Sequence, residues 1–111
     1  MASIYLGNSV YVKKLDSEIK IWIDNETGEY NFIYMNSFVI RQFIKFYNNW
    51  ENGICPSKRT YLGSGVCAKR YNFGVEIWLE DINGEYNHVV MGNAASKWLI
   101  EFCKNKKRSI V

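Results

Sequence analysis

The sequence predicts an α+β protein made of two tandem β-β-β-α units packed about a pseudo-twofold axis. Three observations lead there. Residues 5–49 align with 61–105 at a constant offset of 56 without a gap, and 15 of the 45 positions are identical. Each unit alternates aliphatic and polar residues with period two, then continues into an apolar stretch at helical spacing. A unit of about 56 residues also buries too little surface to be comfortably stable alone, so one chain should imitate a homodimer.

In the first unit, Val10-Tyr11-Val12-Lys13 follows a Leu6-Gly7-Asn8 turn and reads as a short strand. Ile19, Ile21 and Ile23 alternate with Lys20, Trp22 and Asp24, the pattern of a half-buried strand. Asn25-Glu26-Thr27-Gly28 makes a hairpin turn, and its counterpart Ile82-Asn83-Gly84 contains the Asn-Gly pair that favours tight hairpins. A third strand covers Tyr30–Met35. Asn36 or Ser37 can then cap a helix whose apolar positions Val39, Phe43, Phe46, Tyr47 and Trp50 keep helical spacing. The second unit repeats this, with Ala95, Leu99, Phe102 and Cys103 on its helix. There is room for a fourth, short strand at Ile4–Leu6 and at Thr60–Leu62. The expected boundaries are repeat 1 over 4–51, a linker over 52–59 and repeat 2 over 60–107, all within one domain spanning 1–111.

Composition narrows the function. The chain of 111 residues is 48% hydrophobic, and its 18 aromatic residues exclude a disordered segment. No apolar run reaches the roughly 18 residues of a membrane span, and Met1-Ala2-Ser3 lacks the layout of a secretory signal, so a cytoplasmic protein without membrane contact is expected. Cys55, Cys67 and Cys103 show no C-x-x-C spacing and have one histidine, His88, for company; three reduced thiols and no metal are expected. Residues 1–55 carry five Lys/Arg against six Asp/Glu, whereas 56–111 carry nine against five. The excess sits at Lys58 and Arg59 and in a basic tail, weak evidence for an anionic partner.

Strand alternation assigns the faces. Val10, Val12, Ile19, Ile21, Ile23, Ile33 and Met35 should face the helix, as should their equivalents in the second unit. The opposite face then carries Tyr11, Lys13, Lys20, Trp22, Tyr30, Phe32 and Tyr34, and in the second unit Cys67, Lys69, Glu76, Trp78, Tyr86, His88 and Val90. A face turned only to water would hold Thr, Lys and Glu rather than this many rings. Either these faces press together between repeats or chains, or they form a stacking platform for single-stranded nucleic acid, on which each stacked base is worth about 1–3 kcal/mol. The contacts expected for the platform are Trp22, Trp78, Tyr30, Tyr86, Tyr11, Lys13, Lys20 and Lys69. No catalytic residue is expected: His88 aligns with Phe32, and spacing nominates no partner for general acid–base work. No D-x-D-x-D-G calcium loop or phosphate-cradling glycine loop is present, and no cofactor is implied.

The openings Tyr5-Leu6-Gly7-Asn8-Ser9-Val10-Tyr11 and Tyr61-Leu62-Gly63-Ser64-Gly65-Val66-Cys67 resemble those of short phage-encoded proteins that begin with a Y-L-G-x-x-V-Y strand and end in one apolar helix. The strand-strand-strand-helix order resembles the PC4-like fold and tandem PUR repeats, and at least one anti-CRISPR protein is of PC4-like type. The resemblance implies a non-catalytic protein that binds single-stranded nucleic acid in host–virus conflict. The alternative is an inhibitor or ligand-sequestering protein that binds a bacterial immune effector, a host defence protein, without binding nucleic acid. Self-association through sheet faces or edges is compatible with either.

Overall fold

The computed structural model describes residues 3–25, 27–51 and 59–104. Glu26 of the expected hairpin turn, the side chain of Trp50, residues 52–58 of the expected 52–59 linker with Cys55 and Lys58, and the end of repeat 2 over 105–107 with the basic tail lie outside the described residues. The elements run β1 (Ile4–Gly7), β2 (Val10–Lys14), β3 (Glu18–Asn25), β4 (Gly28–Asn36), α1 (Ser37–Glu51), β5 (Thr60–Gly63), β6 (Val66–Tyr71), β7 (Gly74–Asp81), β8 (Gly84–Gly92) and α2 (Asn93–Lys104). The fourth strand exists in both units. Two antiparallel four-stranded sheets result, in the orders β1-β2-β3-β4 and β5-β6-β7-β8. No helix among the described residues is long and apolar enough to cross a membrane.

The repeated Tyr-Leu-Gly opening has a structural explanation. Asn8 and Ser9 in one unit, and Ser64 and Gly65 in the other, hold positive φ between strands that meet at Gly7/Val10 and Gly63/Val66. This is the twist-matched two-residue hairpin turn. Preceding it, Gly7 and Gly63 sit at bulges with φ of 106° and 117°. The tyrosine hydroxyl closes the turn: Tyr5 accepts the Ser9 N–H at 3.3 Å, and Tyr61 accepts the Gly65 N–H at 3.1 Å. Leu6 and Leu62 are buried. Helix α1 crowds Gly63 so closely that a Cβ there would lie 3.0 Å from the Phe38 ring.

That contact belongs to a larger exchange. Helix α1 packs on β4 of its own sheet but also on β5 and β6 of the other, and α2 packs on β7 and β8 and on β1. The two expected sheet-helix units are present, and each helix also reaches the strands of the other unit. Each helix bridges both sheets, and Val10, Ile21, Met35 and Phe43 of repeat 1 join Val66, Ile77, Met91 and Leu99 of repeat 2 in one core. An amphipathic helix covers whatever apolar surface lies beside it, and the other unit's opening strands supply some. Asn36 caps α1 by accepting the Val39 N–H at 2.9 Å. Gly92 stands at the equivalent position before α2, and its own N–H donates to Asn8 of the other unit at 2.9 Å.

The units also meet at β4 and β8. Asn31 and Asn87 have φ of 58° and 54°, the left-handed conformation that asparagine tolerates best among residues with a side chain. Each is the extra residue of a bulge: Ile21 pairs with Ile33 but Ile23 with Tyr30, and Ile77 pairs with Val89 but Leu79 with Tyr86. The freed amides reach across. Asn31 donates to the His88 carbonyl at 2.9 Å, and Asn87 donates to the Phe32 carbonyl at 3.0 Å. The two bonds are reciprocal, as at the interface of a twofold dimer. The identical Gly-Glu-Tyr-Asn blocks thus encode a hairpin glycine and this join.

Candidate functional site

The helix-free faces of the two sheets carry the candidate site. In repeat 1, cross-strand pairing aligns Tyr5 with Tyr11, Tyr11 with Trp22, Lys13 with Lys20 and Lys20 with Tyr34. Directly paired residues share a face, so these side chains stand together. The Tyr5 and Tyr11 rings lie 5.0 Å apart, and Tyr11 stacks on Trp22 at 5.8 Å. The Lys20 ammonium sits 4.8 Å from the Trp22 ring and 4.5 Å from Phe32, a double cation–π contact. Lys13 and Lys20 oppose each other across the strands, and among the described residues neither forms an ion pair. Like charges placed directly opposite are destabilising, so this face holds concentrated positive charge at a cost.

Repeat 2 uses the same lattice differently. Here Lys69 faces Glu76, Cys67 faces Trp78 and Glu76 faces Val90. Glu76 accepts hydrogen bonds from the Tyr71 hydroxyl at 3.0 Å and from His88 Nδ1 at 2.6 Å. A carboxylate can only accept, so the Nδ1 position carries the hydrogen. The His88 ring stacks on Trp78 at 5.7 Å. Arg59 lies 5.8 Å from the Trp78 indole and pairs with Glu80 and, at 4.0 Å, with Glu85. Burial pushes the Cys67 thiol above its ordinary value near 9.0, against a lowering by the adjacent Arg59 charge. Its Sγ lies 3.6 Å from Glu80. Cys67 is buried and in no disulfide.

Several expected contacts are corrected by this geometry. Trp22 and Trp78 lie on the expected face but are only 4% and 3% exposed, covered by their ring and cation neighbours. They are the floor of the site, and a base cannot stack on them directly. Their indole N–H groups are buried and find no acceptor among the described residues. Tyr30 and Tyr86 leave the face altogether: the bulges at Asn31 and Asn87 pair them with Ile23 and Leu79, on the helix side of each sheet near the hairpin tips. Lys13, Lys20 and Tyr11 come together in repeat 1, whereas in repeat 2 Lys69 faces Glu76 and lies 5.1 Å from the Tyr71 ring. Phe32 and Tyr34 lie on the expected face but outside the expected contacts, and Tyr34, 48% exposed, is the most accessible ring beside Lys20. Strand parity was the signal for both.

Among the described residues, no group of three or more His, Cys, Asp or Glu side chains could hold a metal ion. Comparisons with protein-family models, with curated proteins and with solved structures find no match for this chain.

Proposed function

We propose that the helix-free face of repeat 1 binds single-stranded nucleic acid without catalysis. The observation that carries this reading is the cross-strand pair Lys13–Lys20, two lysines with no ion pair among the described residues, set among Tyr11, Phe32 and Tyr34 over a tryptophan floor. Phosphates would neutralise the lysines and release counterions, while Tyr34 and Tyr11 would stack on bases. The doubled strand-rich units support grouping the chain with the PC4-like and tandem PUR arrangements. The phage-type setting rests on the Tyr-Leu-Gly openings. A second reading, a protein that captures a host defence protein, is favoured by the carboxylates Glu76, Glu80 and Glu85 on the face of repeat 2.

The test is anisotropy titration of a labelled single-stranded oligonucleotide at two salt concentrations. Affinity should fall as salt rises. The variant Lys13→Glu with Lys20→Glu should weaken binding by about a hundredfold at low salt, and Tyr34→Ala by about tenfold. Binding that ignores both variants would overturn the assignment to repeat 1.

A further inference from the structure

The turn joining β6 to β7 reads Tyr71-Asn72-Phe73-Gly74 where repeat 1 has Leu15-Asp16-Ser17-Glu18. Tyr71 continues the parity of Cys67 and Lys69 and so lies on the helix-free face. Its hydroxyl donates to Glu76 at 3.0 Å, and the Lys69 ammonium lies 5.1 Å from its ring. Phe73 stacks on Tyr71, with centroids 4.9 Å apart and planes 11° from parallel. The turn is pinned behind the rings. Asn93 of α2 donates to the Asn72 carbonyl at 2.8 Å, and a Cβ at Gly74 would overlap the Met91 carbonyl of β8. Phe73 is nonetheless 56% exposed, and among the described residues its ring meets no ring but that of Tyr71. A ring fixed at the open end of a stack loses little freedom when another planar group settles on it.

The charge beside this ring is favourable to an anion. Lys69 stands at the stack, and Lys97 follows Asn93 by one turn of α2; among the described residues neither forms an ion pair. Glu76, the carboxylate beside Tyr71, is engaged by Tyr71 and His88. Glu80 and Glu85 pair with each other's strands at the opposite end of the face, by the β7–β8 turn. Asp16 and Glu18 of repeat 1 have no acidic counterpart in the Phe73 turn.

We propose that Phe73 is a second stacking contact for single-stranded nucleic acid, taking one base on the open end of the Phe73–Tyr71 stack while Lys69 meets the adjoining phosphates. The inference rests on the reading of the chain as a single-strand binder and extends its contact from repeat 1 to repeat 2. Every base has a flat face, so a fixed ring beside a cation accepts one whatever the sequence. The copies divide the work: repeat 1 pairs Lys13 with Lys20 where repeat 2 pairs Lys69 with Glu76, and repeat 2 has rings where repeat 1 has Leu15 and Ser17. The molecule measures 34 × 33 × 25 Å, and a strand of about 20 nucleotides is longer than that even at duplex spacing, so one strand can reach both contacts.

The intact chain would be titrated by anisotropy with a labelled single strand of about 20 nucleotides. Phe73→Leu keeps an apolar side chain but removes the ring, and should weaken binding about tenfold; Phe73→Tyr should stay within about twofold of the parent. Phe73 is exposed, so both variants should keep the parent's Tm. A strand carrying 5-iodouracil, irradiated in the complex, should crosslink to Phe73 or Tyr71, as located by mass spectrometry. Unchanged affinity in Phe73→Leu, or crosslinks confined to Tyr11, Phe32 and Tyr34, overturns this proposal and leaves the assignment to repeat 1 standing. Binding that falls with Phe73→Leu but ignores Lys13→Glu with Lys20→Glu supports the Phe73 contact and overturns the assignment to repeat 1. No binding of the strand by the parent protein overturns both.

Discussion

The two helix-free faces share a backbone lattice and a buried tryptophan but differ in nearly everything laid upon it. Repeat 1 places Lys20 where repeat 2 has Glu76, Phe32 where it has His88, and Tyr11 where it has Cys67. Among the described residues, the first face keeps its lysines without ion pairs. The second closes its charges on one another, Glu76 with His88 and Tyr71, and Arg59 with Glu80 and Glu85. Many positions identical between the repeats serve turns, bulges, the join and the tryptophan floor, whereas the charge contrast between the surfaces comes from positions that differ, such as Lys20 and Glu76. In a duplicated chain, divergence between the copies is therefore the better guide to where a ligand is recognised.

The largest expected effect tests what the faces share. Trp22→Ala and Trp78→Ala should each cost about 3–5 kcal/mol in urea unfolding, because both indoles are buried and removal leaves a cavity. Losses below about 1 kcal/mol would show that the tryptophans are not the floor. Next comes the join. Asn31→Ala with Asn87→Ala leaves two carbonyls without their donors and puts alanine at positive φ, so a loss of about 2–4 kcal/mol is expected by the same measurement.

The charge contrast can be broken by exchange. Lys20→Glu should lower oligonucleotide affinity about tenfold, equivalent to about 1.4 kcal/mol, while stability changes by only a few tenths because repulsion from Lys13 becomes attraction. Glu76→Lys should move repeat 2 the other way and raise affinity severalfold at low salt. An unchanged affinity in both variants would make the difference between the faces irrelevant to nucleic acid.

The smallest effect is alkaline. Burial raises the Cys67 thiol, and the hydrogen bond to Glu76 raises the Tyr71 phenol. In both cases the folded protein holds the proton more tightly than the unfolded chain. Their contribution to stability is complete below the ordinary values and is lost as pH rises through the folded ones. Stability should therefore decline from about pH 9 upward, less steeply in Cys67→Ala, and Glu76→Gln should remove the tyrosine component. A slope identical in all three proteins would mean that neither group is linked to folding.

Much of this was legible in the chain. The offset of 56 exposed the duplication, and period-two alternation put Val10, Ile21 and Met35 on the helix side and Tyr11, Lys13, Lys20 and Trp22 on the opposite face. Parity failed at Tyr30 and Tyr86, because a single left-handed residue shifts every side chain beyond it to the other face. The repeated Tyr-Leu-Gly opening looked like a functional signature and serves a turn, since a tyrosine hydroxyl that closes a hairpin leaves the same pattern as one that meets a ligand. The burial of Trp22 depends on where Lys20, Tyr11 and Phe32 lie around it, which alternation does not describe.

By itself, the sequence determined that the chain is doubled, that its strands are half-buried, and which strand positions are aliphatic. Those properties are local: propensity, periodicity and turn chemistry act over a few residues. Only the tertiary structure decided that each helix bridges both sheets, that Asn31 and Asn87 bond across the units, and that one face carries open positive charge while the other is internally paired. These depend on residues some 56 positions apart meeting in space, and on bulges whose energetic justification lies in the partner unit.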